Sequence, residues 1–255
     1  MFSGGALCVL AGCAPCQPFS RYARRSGERS PKWEMIDHFF RLATSIRPEV
    51  LTMENVPELQ GDKAFAHFVD RLQASGYRVS YSKVFCPYYG IPQQRTRLVL
   101  FASLYGAVRL EAHTHNATNY KTVRKSIAHL APLRAGSSDS DDPLHRASNL
   151  TPLNLQRIGQ STPGGSWRDW PTGLIAKCHL LRSGETYPSV YGRMKWDAPS
   201  PTITTQFFGF GNGRFGHPSQ NRAISLREGA ILQSFPEDYA FTPPGGSLSL
   251  LNLAE

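Results

Sequence analysis

The chain's apolar positions follow several rhythms. Leu7 to Ala11 is a short continuous apolar run and predicts a buried strand. From Trp33 to Ser45 the residues Trp33, Ile36, Phe39, Phe40 and Ala43 recur at helical spacing, and Pro48 stops the helix. Val50 to Met53 is β-prone and delivers Glu54-Asn55-Val56-Pro57 at its end. A second helix, about Ala64 to Ser75, carries Phe65, Phe68, Val69 and Leu72 on one face and ends at Gly76. Tyr77 to Phe85 alternates like a half-buried strand, and Arg97 to Ala102 forms another. The short link between them, Pro87-Tyr88-Tyr89-Gly90-Ile91-Pro92, makes that pair antiparallel. A helix near Thr122 to Leu130 is expected to complete an α/β unit.

The rhythm breaks after Pro132. Ala135-Gly136-Ser137-Ser138-Asp139-Ser140-Asp141-Asp142-Pro143 is polar and marks the best boundary. It divides an α/β domain, 1–134, from a second domain, 135–255, of β and irregular character. Ser225-Leu226-Arg227-Glu228 is a capping box that opens a helix over about 225–234.

Composition narrows the class. The 255 residues are 40% hydrophobic and 18% charged, which is globular rather than disordered. No apolar run approaches the ~20 residues that span a bilayer, so no membrane association is expected. The formal charge of +9 favours an anionic partner, nucleic acid before membrane. Five cysteines without a framework of spacings read as free thiols in a reducing compartment, which places the protein in the cytoplasm.

The candidate chemistry starts at Gly12-Cys13-Ala14-Pro15-Cys16-Gln17-Pro18-Phe19-Ser20, directly after the first strand. Pro15 and Pro18 fix φ on either side of Cys16, which suits a nucleophile. The CxxC of Cys13 and Cys16 also fits metal or redox chemistry, but a zinc site takes about four ligands and Cys8, Cys86 and Cys178 supply no second pair, so no metal is expected. Cys8, inside the apolar run, reads as structural. The segment Arg21 to Lys32, with Arg24 and Arg25, fits either a solvated face or phosphate contact beside the nucleophile. Glu54, Arg95 and Arg97 fall at comparable strand ends and add a proton donor and a cationic clamp. Trp167, Arg168, Trp170 and Arg182 are candidates for reading a partner, with small-domain core as the competing account of the tryptophans.

These segments together resemble the DNA (cytosine-5) methyltransferase family. The stretch from Gly12 to Ser20 resembles its nucleophile motif, Met53-Glu54-Asn55-Val56 its glutamate motif, and Tyr89-Gly90-Ile91-Pro92-Gln93-Gln94-Arg95-Thr96-Arg97 its arginine motif. Arg222 through Arg227, Glu228, Gln233, Phe235 and Pro236 resembles the helix that braces its target-recognition domain. The resemblance implies a partial Rossmann-like S-adenosylmethionine-dependent domain plus a smaller target-recognition domain, acting on double-stranded DNA within a restriction-modification setting. It implies that Cys16 attacks C6 of a flipped cytosine, that Glu54 protonates N3, that Arg97 holds O2, and that Arg95 supports Glu54 or the base. Pro15 lines the pocket between base and cofactor, while Gln17, Ser20, Arg21, Arg24 and Arg25 belong to a loop closing on DNA. The cofactor-binding segments expected before the nucleophile strand, and the last motif expected after Phe241, are not recognisable here. The sequence therefore reads as a catalytic half needing a second polypeptide for the cofactor site, as an inactive truncated remnant, or as a non-catalytic DNA-binding protein.

Overall fold

The computed structural model describes residues 6–13, 34–181, 184 and 187–241. Contacts group the chain into two units, one of 1–85 with 96–113, the other of 86–95 with 114–255.

The first unit is a four-stranded mixed sheet with order β1-β2-β4-β3, built from β1 (Val9–Gly12), β2 (Val50–Asn55), β3 (Arg78–Phe85) and β4 (Thr96–Ser103). Strand β1 runs parallel to β2, whereas β4 is antiparallel to both β2 and β3. Because side chains alternate along a strand, Leu51 and Met53 share a face with their partners Ala102 and Leu100, and all four are buried. Two helices, α1 (Glu34–Ile46) and α2 (Lys63–Ala74), supply Ile36, Phe40, Ala43, Phe65, Phe68 and Leu72 to the same core. Asp62 caps α2 by accepting from the Ala64 N–H at 2.8 Å.

The expected strands and helices of this unit stand within two residues of the sequence reading, with two corrections. The first strand is not buried. Leu7 and Val9 are 58% and 53% exposed, because β1 has a described neighbour on one side only. The helix expected at 122–130 is the short α3 (Val123–Ile127), and it belongs to the second unit, where it packs on α5 (Leu226–Leu232).

The second unit holds no named strand among the described residues; its chain is joined by isolated bridges such as Arg193 to Gly216 and Gly216 to Ala223. One core gathers Val123, Ile127, Met194, Ile203, Phe207, Ile224 and Leu232. Another gathers Leu150, Trp167, Trp170, Phe210 and Ala223, together with Ile158 of α4 (Pro152–Gln160). The capping box at Ser225 and Glu228 is present as expected, and every residue of α5 is buried. The polar segment 135–143 is an ordered loop in which Asp142 makes a two-pronged ion pair with Arg227 at 2.6 and 3.0 Å.

Candidate active site

Glu54 is the next-to-last residue of β2 and points away from the helix-packed face. Its ladder partner in β4 is Val99, so Arg97, two residues earlier on the same face, is its diagonal neighbour. The register thus accounts for the ion pair that forms: Arg97 Nε lies 2.6 Å from Glu54 Oε1, with the two side chains 23% and 39% exposed. Arg97 is steadied by its own Nη1, which donates to the Thr96 carbonyl at 2.8 Å.

A third strand adds a group that sequence reasoning did not assign. Gly12 pairs with Met53 in the parallel register, which sets Cys13 beside Glu54. The Cys13 thiol donates to Glu54 Oε2 at 3.2 Å. Thiol, carboxylate and guanidinium therefore span β1, β2 and β4 in one line. Asn55, one residue beyond Glu54, faces the core and accepts from the Val56 N–H at 2.8 Å, turning the chain out of the strand.

Several other expected residues are not among those described. Cys16 lies outside the described residues, as do Pro15, Gln17, Ser20, Arg21, Arg24, Arg25 and Arg182. Arg95 is half-buried in the second unit, where its carbonyl accepts from Cys86 N–H at 2.9 Å. The tryptophans resolve toward core: Trp167 and Trp170 are 5% and 4% exposed, and their indole N–H groups donate to the Tyr187 carbonyl and to Ser161 Oγ, both at 2.9 Å. Arg168 is exposed above the Trp167 ring.

The helix expected to act as a brace carries a buried charge network. Arg222 places Nη1 and Nη2 on the two oxygens of Glu228 at 2.7 Å each, with the pair 0% and 1% exposed. Burial pushes the Glu228 carboxyl up, but the hydrogen bonds and charge of Arg222 outweigh it and hold it below its ordinary value. His217 packs beside them, and its Nδ1 accepts from the N–H groups of Ser219 and Gln220 at 3.2 and 3.0 Å. Burial lowers its pKa to about 4. Sequence reasoning also passed over Arg193, a buried guanidinium whose donors go to the carbonyls of Ile158, Ser161, His217 and Gln220. A lone arginine beside a Gly-Tyr pair carries no local signal; only the tertiary fold assembles those carbonyls.

The model of the C-5 cytosine-specific DNA methylase family matches residues 6–249. The chain belongs to that family. Among relatives of this methylase chain, the Type II methylase M.HgiDII of Herpetosiphon aurantiacus is 52% identical over 240 residues, covering 93% of this chain and 68% of the relative. The Type II methyltransferase M1.BsuMI of Bacillus subtilis (strain 168) is 30% identical, covering 91% of this chain and 53% of the relative. The chain thus spans between half and about two thirds of the length of these methylases. In three dimensions the crystal structure of the S. pombe Dnmt2 methyltransferase superposes with a TM-score of 0.55 at 14% identity, over 96% of this chain and 71% of that one. At that identity the likeness speaks for the methyltransferase fold.

Proposed function

We propose that this methylase chain carries the base-modifying chemistry of a DNA (cytosine-5) methyltransferase acting on double-stranded DNA. The observation that carries the reading is the Glu54 carboxylate held by Arg97 at the end of β2, with the nucleophile motif emerging from the adjacent strand. A cytosine must leave the duplex stack before its C5 and C6 can be reached. The Cys16 thiolate then forms a bond to C6 as Glu54 gives a proton to N3. Arg97 is the cation beside that carboxyl group and extends toward the ring's O2. Addition places electron density on C5. Once C5 carries the methyl group, a base takes the C5 proton, the C5–C6 double bond re-forms as the sulfur–carbon bond breaks to release the Cys16 thiolate, and N3 returns its proton to Glu54.

S-adenosylmethionine supplies the electrophilic methyl group when bound. The groups described beside Glu54, a guanidinium and a thiol already engaged with its carboxylate, do not fit that cationic nucleoside, and Pro15 lies outside the described residues. The reading therefore assigns the methyl donor to residues beyond those described, in a further segment or in a second polypeptide. The functional division runs near residue 134, with target recognition beyond it. No described helix is long and apolar enough to cross a membrane.

The test is incubation of the full chain with S-adenosylmethionine and mixed-sequence duplex DNA carrying 5-fluorocytosine. Fluorine at C5 cannot be eliminated, so the protein is expected to form a denaturation-resistant adduct, seen by mass, that Cys16→Ser abolishes while DNA affinity stays within about threefold. An adduct that survives Cys16→Ser overturns the assignment. DNA binding without an adduct, even after addition of a polypeptide carrying the cofactor site, replaces it with a non-catalytic binding role.

A further inference from the structure

We propose that Cys13 is a positioning residue, whose thiol holds the Glu54 carboxyl group in one orientation for proton transfer; the inference rests on the methyltransferase reading above. The contact follows from the fold rather than from chance proximity at the surface. Gly12 is in register with Met53 on the core-facing side of β1, and a Cβ at Gly12 would fall 2.3 Å from the Phe39 ring. Helix α1 thus sets how closely the end of β1 approaches, and the next residue, Cys13, is delivered to the open face beside Glu54. Its sulfur then meets Oε2 at 3.2 Å while Arg97 holds Oε1 at 2.6 Å.

Two donors on different oxygens do what one cannot. The terminal torsion of a glutamate is broad and roughly two-fold, so a carboxylate anchored only by Arg97 still turns about its last bond. A donor on the second oxygen removes that freedom. A carboxyl group has about four lone-pair sites, so both contacts leave one at which it can carry the proton that the ring nitrogen takes. The orientation matters because misplacing a reacting group by about 1 Å costs on the order of a hundredfold in rate. A thiol is a weak donor and leaves the carboxyl group able to take and release its proton. This gives Cys13 a role separate from that of Cys16, three residues on, and separate from the metal and redox readings of the CxxC pair.

The experiment is ¹³C NMR of the glutamate carboxyl carbons in the full chain at pH 7, with Glu54 assigned by the signal lost in Glu54→Gln. A donor on Oε2 is part of that carbon's surroundings. Cys13→Ala is therefore expected to shift the Glu54 signal by more than its line width, and Cys13→Ser, which keeps a donor, to return it toward wild type. In the same variants, methyl transfer by Cys13→Ala falls about fivefold with KM for DNA unchanged, the size expected for a weak hydrogen bond to a charged group, and Cys13→Ser recovers most of the loss. An unmoved signal in Cys13→Ala, or a serine variant that behaves like alanine, overturns the proposal. The spectrum needs no turnover, so it decides the role of Cys13 independently of the adduct test on Cys16.

Discussion

At the scale of single residues, the chemistry of this chain depends on how charge is held. Glu54 and Arg97 meet at a partly wet strand end. Arg222 and Glu228 meet in the dry interior and serve structure instead. Breaking a buried pair by removing one partner leaves an uncompensated charge, which typically costs about 3–5 kcal/mol. Arg222→Met is accordingly expected to lower stability by an amount in that range, read as an earlier urea midpoint at an unchanged slope. Replacing both Arg222 and Glu228 by apolar residues should recover much of the loss. Both residues belong to a motif legible in the sequence. Arg193 does not, because its partners are main-chain carbonyls from several separate segments.

Among the elements, the site is a matter of register. Period-two and helical spacing located β2, β4, α1 and α2, and the short link predicted the antiparallel pairing of β3 and β4. Spacing alone does not say that β4 sits between β2 and β3, yet that order is what places Arg97 diagonal to Glu54. A Cβ at Gly12 would fall 2.3 Å from the Phe39 ring, so this position at the end of β1 has room for glycine. Gly12→Ala pushes a methyl group into that ring and is expected to cost about 1–3 kcal/mol, as overpacking does. Thermal denaturation checks the stability loss. The same variant should weaken the Cys13–Glu54 contact and move the Glu54 carboxyl ¹³C signal as Cys13→Ala does. Strand β1 also shows where an apolar run misleads: Leu7 and Val9 are exposed because a continuous apolar stretch reports a strand's capacity for burial, not the neighbours it has.

For the molecule as a whole, acid should act on the second unit through His217. Its ordinary value of 6.5 is lowered to about 4 by burial in the fold. Between those two values the unfolded chain binds a proton that the folded chain refuses, so stability rises with pH across this window and is lost as pH falls. The full difference is about 3 kcal/mol. Glu228, held below 4.5, adds a further loss in the same direction as acidification proceeds. Urea midpoints measured at pH 7 and pH 4.5 should show the drop, and His217→Gln should flatten it. A pH-independent midpoint would mean that the histidine is not kept neutral.

What the sequence determined by itself was the set of motifs, their order and most of the helices and strands, because local spacing and capping are written in neighbouring residues. The family followed from those motifs, and so did the expectation that Glu54 and Arg97 act together. What only the tertiary structure decided was which groups touch. It paired Cys13 with Glu54 through a parallel register between residues 41 positions apart, sent Trp167 and Trp170 into a core, and placed α3 against α5 in the other unit. Those outcomes depend on which faces meet across long separations in the chain, and no local pattern encodes such a meeting.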